Sequence, residues 1–230
     1  IRLGRAKCEK EGTAMGHCGS GRGMLYSLRR DKYPYVTADI NENTGQVMQM
    51  KGRANTKPKP DFHKYIIPFI LGDNPNIQYF HSIYQPETDF NIADLNTEQV
   101  EDAVSKKPSL MFLANGGIKA VKKMSPRFIQ ELLLTKDEAI GSFVNGCGNG
   151  SIVLSDVLKT PEMVEWAIKN AKLLFSAENY GNISLSTEQI ERIIQDRDFA
   201  GSFNIDKIEL EPKALDYIVH NNPVLFELSK

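Results

Sequence analysis

Met24-Leu25-Tyr26-Ser27-Leu28-Arg29, Pro34-Tyr35-Val36-Thr37-Ala38-Asp39-Ile40 and Gln46-Val47-Met48-Gln49-Met50-Lys51 decide the fold class. Each run is short and bounded by turn formers, which marks a strand. Arg30-Asp31-Lys32 makes the first turn. Asn41-Glu42-Asn43-Thr44-Gly45 makes the second, with Gly45 free to take positive φ. Val36, Ala38 and Ile40 alternate onto one face. A three-stranded antiparallel meander buries only one face and needs a helix over it. Residues 5–18 and 62–70 are the two candidates. Asp61 is placed to cap the second, and Pro68 to shorten or kink it.

Beyond the meander the pattern becomes helical and repetitive. Leu95-Asn96-Thr97-Glu98-Gln99-Val100 parallels Leu185-Ser186-Thr187-Glu188-Gln189-Ile190, and Thr160-Pro161-Glu162-Met163-Val164 parallels Leu210-Glu211-Pro212-Lys213-Ala214-Leu215. Aligned apolar positions fall at 139, 164, 190 and 215, the even spacing of a repeat array. Asn96, Ser125, Thr135, Thr160 and Ser186 are expected N-caps, with Glu211 a weaker one. Pro126, Pro161 and Pro212 suit first helical positions. Thr135 with Glu138, and Ser186 with Gln189, have capping-box spacing. A second apolar piece follows several units: residues 108–113, 173–175 and 223–226. Short helices cannot bury their stripes alone, so neighbouring units should stack. Asn145-Gly146-Cys147-Gly148-Asn149-Gly150 is expected to interrupt the array as a loop. Trp166 is expected to line the core or an inter-repeat contact.

The expectation is therefore an α+β chain: a small antiparallel three-stranded sheet with covering helices, then an all-α, helical-repeat-like region. The Pro- and Asn-rich punctuation predicts a first domain over residues 1–72, a connecting segment over 73–94 and a helical domain over 95–230.

Composition bounds the function. With 41% hydrophobic and 25% charged residues, a wholly disordered or collagen-like chain is excluded. No apolar run reaches the roughly 18 residues of a membrane span. Three cysteines, Cys8, Cys18 and Cys147, argue against a disulfide scaffold and fit a reducing compartment. The chain starts at Ile1, as a processed product or a fragment does, and shows no signal-peptide core. The expected location is the cytoplasm or a virion. The net charge of −1 hides an asymmetry: residues 1–65 carry +7 and the remainder −8.

The basic third holds the most unusual stretch, Glu11-Gly12-Thr13-Ala14-Met15-Gly16-His17-Cys18-Gly19-Ser20-Gly21-Arg22-Gly23. Its five glycines allow tight turns and close approach to a ligand. It contains no GxxxxGK[ST] and no complete GxGxxG, so a standard nucleotide loop is not expected, nor any cofactor. The blocks Glu11-Gly12-x-x-Met15-x-His17-Cys18, Tyr26-Ser27-Leu28-Arg29, residues 34–40 and Gln49-x-x-Gly52-x-x-Asn55-x-x-Pro58 resemble the PcfJ-like family of conjugative plasmids and tailed phages. The likeness covers residues 11–58. It departs just after Cys18, where the family has Val and then Tyr and this chain has Gly19, Ser20 and Gly21. What the resemblance implies is context, a phage or mobile element, rather than a reaction.

Three functional classes follow. The first is a phage or mobile-element protein acting through macromolecular interaction, as a virion component or assembly factor with other protein subunits as partners. The second is a cysteine-dependent enzyme. Cys18 would be the nucleophile, with His17, His63 or Asp39 near it and Asn55 orienting the base. The third is a nucleic-acid-binding module. Arg22, Arg29, Arg30, Lys51, Arg53, Asn55 and Lys57 would form its basic patch, since period-two spacing puts Lys51, Arg53 and Lys57 on one side. A solvated face, or a patch docked on the acidic half, is the alternative. Cys8, His17, Cys18 and Cys147 lack metal-ligand spacing, so no metal site is expected.

Overall fold

A computed structural model describes residues 2–7, 23–30, 33–72, 77–80, 87–112, 117–196, 203 and 212–221. The chain divides into two compact units, Ile1–Lys123 and Met124–Lys230. None of the described helices is long and apolar enough to cross a membrane.

The first unit is built on the expected meander. Strands β2 (Gly23–Arg30), β3 (Tyr33–Asn41) and β4 (Gln46–Gly52) pair antiparallel. Val36, Ala38 and Ile40 are buried, and Gly45 has φ 68° in the second turn. Two strands extend the sheet. β1 (Arg2–Lys7) pairs antiparallel with β2, from Arg2 opposite Arg29 to Lys7 opposite Met24. Residues 5–7 are thus strand, not part of a covering helix. Their backbone occupies an edge of β2 that a three-stranded sheet leaves open. The rest of that expected helix, residues 8–18, lies outside the described residues. β5 (Tyr79–Phe80) adds in parallel beside β4, giving the order β1-β2-β3-β4-β5.

The second expected covering helix is present as α1 (His63–Leu71). His63, Ile66 and Ile70 form its buried stripe, and Phe69 meets Tyr26 of β2 at 5.4 Å between ring centroids. Asp61 does not cap α1. It lies inside a 3₁₀ turn, Pro60–Phe62, that leads directly into the helix without a side-chain cap. Pro68 is accommodated within α1.

The outer edge of β4 is closed by chain that follows α1. Gln78 N donates to Gly45 O at 2.8 Å and Phe90 N to Met50 O at 2.8 Å. The buried Asp89 carboxylate accepts from Met50 N at 2.8 Å. Asn91 and Asp94 form a reciprocal capping box around the turn Ile92–Asp94. Helix α2 (Thr97–Lys106) follows, with the expected cap Asn96 completed by Gln99 as a reciprocal box, then α3 (Ser109–Phe112).

The second unit is all-helical among its described residues. It contains α4 (Pro126–Thr135), α5 (Asp137–Gly148), α6 (Leu154–Val157), α7 (Pro161–Asn170), α8 (Thr187–Ile194) and α9 (Pro212–Asn221). A 3₁₀ turn, Lys172–Ser176, carries the apolar piece Leu173-Leu174-Phe175. Ser125, Thr160 and Ser186 cap α4, α7 and α8 as expected, and Ser186–Gln189 completes its box. Thr135 is no cap. It ends α4, and its hydroxyl donates to Glu131 O at 2.8 Å. Residues 145–148 are not a loop either, because α5 runs through to Gly148. Ala139, Phe143 and Cys147 recur at four-residue steps and are all buried, so packing of that stripe overrides the helix-weakening glycines. Trp166 is half-buried on α7.

The repeat register holds for Ala139, Val164 and Ile190, all buried, and slips at the last helix. Leu215 is 44% exposed while Ala214 is buried. Val164 and Ile168 of α7 are buried, whereas Leu215 and Val219 in the matching places of α9 face solvent. Glu211 and residues 223–226 lie outside the described residues.

Candidate functional site

Strand parity sorts the sheet's side chains. Tyr26, Ala38 and Met50 lie opposite one another on the face that α1 covers. Their neighbours point the other way, in the cross-strand rows Leu25–Asp39–Gln49 and Ser27–Thr37–Lys51. Two register shifts adjust this pattern. Asp39 pairs with Gln49 but Ile40 with Val47, so Met48 is the extra residue of a bulge. The bulge lets Val47 and Met50, three apart, both be buried. Leu28 pairs with Val36 but Arg29 with Pro34, so Tyr35 is extra.

On this second face lies an open pocket of about 360 Å³. Leu25, Pro34 and Tyr35 supply apolar surface. Thr37, Asp39, Gln49 and Lys51 add polar groups from β3 and β4. The turn Gly52-Arg53-Ala54-Asn55 completes it. That turn is held tightly. Gly52 N donates to Thr56 O at 2.6 Å, and Thr56 Oγ1 donates to Arg53 O at 2.8 Å. A Cβ on Gly52 would lie 3.0 Å from Thr56 O and 3.1 Å from Lys57 O, so a larger residue forces the loop outward. Ala54 (φ 56°) and Asn55 (φ 58°) are both left-handed. Asn tolerates this conformation, but Ala pays about 1 kcal/mol for it. Backbone strain of this kind collects at binding and catalytic sites.

The pocket therefore brings together Asp39, Lys51, Arg53 and Asn55. Among the described residues, neither Lys51 nor Arg53 has an ion pair. Lys57 is differently placed: its ammonium meets Asp94 at 2.7 Å. Arg29 is exposed near the end of β2, opposite Pro34 at the pocket. Arg30 ends β2 opposite Tyr33. Arg22, His17, Cys18 and Cys8 lie outside the described residues.

His63 is not part of this pocket. It is buried on α1, on the opposite side of the sheet from Asp39, with its ring edge-on to Phe90 at 5.4 Å. Burial lowers its pKa, against the pull of Asp94 and a hydrogen bond to the Pro58 backbone. Among the described residues its Nε2 has no hydrogen-bond partner, which suits a neutral ring. Cys147 is buried in the helical unit, where desolvation, helped by Asp156, pushes its thiol up to about 11. It is protonated at neutral pH and a poor nucleophile.

The helical unit's grooves have another character. The one between α8 and α9 is about 550 Å³ and is lined by Glu188, Glu191 and Asp216 with Lys213 and His220. Among the described residues, no group of three His, Cys, Asp or Glu side chains is arranged to hold a metal ion.

Sequence reasoning missed Tyr35 and Thr37 as pocket residues. Strand alternation carried the signal for Thr37, which sits one row from Asp39. Tyr35 was hidden by its bulge. Comparison with known protein families, with curated proteins and with solved structures finds no match to this chain.

Proposed function

We propose that this chain is a phage or mobile-element protein of the PcfJ-like kind that acts through macromolecular interaction, its sheet unit contacting nucleic-acid phosphates. The observation that carries the reading is the pocket itself. Among the described residues, Lys51 and Arg53 share it without an ion pair, while Lys57, the next cation along the chain, is held by Asp94. Two cations beside amide and hydroxyl donors, with Asp39 as the one carboxylate among the pocket's described lining residues, can meet phosphate oxygens. Gln49, Gly52 and Asn55 of the QxxGxxN block all line this one pocket, which supports treating the block as a binding motif. The helical unit would supply protein contacts, favoured by Leu215 and Val219 exposed one turn apart on α9.

The test is equilibrium binding of the purified chain to a labelled mixed-sequence oligonucleotide over a salt series. Affinity should fall steadily as salt rises, because phosphate contacts release counterions. No binding to any polyanion at low salt overturns the reading.

A further inference from the structure

The pocket's shape and lining narrow the class of nucleic acid. We propose that it takes one unstacked nucleotide of a single strand, the base on the Tyr35 ring and the phosphate at Lys51 and Arg53; this rests on the nucleic-acid reading above. Duplex readers present a protruding helix or ribbon that enters a groove. Here the cations line a concavity of about 360 Å³, near the lower end of the roughly 300–1,000 Å³ range of small-ligand pockets. A stiff duplex cannot put a base into such a space, whereas a flexible strand can splay one out.

The lining fits a splayed base. Tyr35 is half-buried, and its ring is supported by Phe62 at 5.1 Å and 32° between planes. A ring fixed this way offers a stacking surface at little cost in side-chain freedom. Pro34 and Leu25 extend the apolar wall. Gln49 and Asn55 both donate and accept, so they can meet the edge of any base without demanding one. Tyr33, two residues before Tyr35, is 68% exposed and offers a neighbouring base a second platform.

The experiment measures fluorescence anisotropy of the full chain with a short mixed-sequence oligonucleotide, as single-stranded DNA, single-stranded RNA and duplex DNA, with heparin as a charge-only competitor. Either single strand should bind about tenfold or more tightly than the duplex. Tyr35→Ala and Tyr35→Leu should each lose about tenfold for the single strand, with unchanged circular dichroism reporting that the variants are folded. Tyr35→Phe should keep full affinity. Equal affinity for single strand and duplex overturns this inference and leaves the phosphate-contact reading standing. So does an unchanged single-strand affinity in both Tyr35 variants. Absence of binding to oligonucleotides and heparin alike overturns both.

Discussion

The two units differ in where cations stand without an ion pair among the described residues. In the helical unit, Lys172 pairs with Asp196 at 2.6 Å and Arg192 with Glu165 at 2.9 Å, so cations are neutralised by neighbouring elements. Glu165 is further held by Gln189 and has a lowered pKa from these hydrogen bonds. In the sheet unit, Lys51 and Arg53 line one pocket, and among the described residues neither has an ion pair. The helical unit's polar groups close its own structure through caps and bridges. The sheet unit's long-range pairing places Leu25, Asp39 and Gln49 side by side at the pocket. The nucleic-acid contact proposed above falls on the sheet unit, not on the helices.

The strongest way to break that comparison is to weaken the helical core. Phe175 is fully buried, and Phe175→Ala should cost about 3–5 kcal/mol in urea denaturation. Oligonucleotide affinity, measured where the variant is still folded, should not change. A matching loss of affinity would assign binding to the helices. Gly52→Ala addresses the other side. Its Cβ meets backbone on three sides, so about 1–3 kcal/mol of stability should be lost, together with affinity, because Arg53 and Asn55 ride on that turn. Unchanged binding in this variant would separate the strained turn from function.

Smaller effects sharpen the same contrast. Ser186→Ala removes the hydroxyl that accepts from Gln189 N and should cost about 1 kcal/mol. Thr135→Ala, by contrast, should stay within about 0.5 kcal/mol as a surface change. The smallest effect is pH dependence from His63. Burial disfavours its charged form, so its folded pKa lies below the usual 6.5. The unfolded chain takes the proton first as pH falls. Stability present above about 6.5 is therefore lost as pH drops from there toward the folded value. Denaturation midpoints at several pH values should show this slope, and His63→Leu should flatten it.

How far each unit could be read from sequence follows from how local its signals are. Caps at Asn96, Ser125, Thr160 and Ser186 depend on three or four consecutive residues, and each was legible. Thr135 failed because its hydroxyl found the carbonyl of Glu131 instead, a choice made by where α4 ends. Cys147 and its glycines looked like a loop by composition, yet four-residue burial from Ala139 carried the helix through. In the sheet, the three central strands and Gly45 were clear. β1 was not, because only its pairing with β2 makes a strand of it. The edge closure by Asp89 and the bulges at Tyr35 and Met48 depend on residues far apart in sequence. Lys51, Arg53 and Asn55 could be named from their alternation. That Lys57 leaves this set for Asp94, and that His63 lies across the sheet from Asp39, could not.

In the proposed binding mode Lys51 and Arg53 meet the phosphates and Lys57 does not. The most direct measurement is the salt dependence of single-strand binding for the wild type, the double variant Lys51→Gln/Arg53→Gln, and Lys57→Gln. Each phosphate contact removed should lower the slope of log affinity against log salt by about 0.7. The double variant should therefore lose about 1.4 in slope, together with most of its affinity at low salt, while Lys57→Gln stays close to the wild type. A double variant with unchanged slope, or a Lys57→Gln variant that loses as much, would contradict the account.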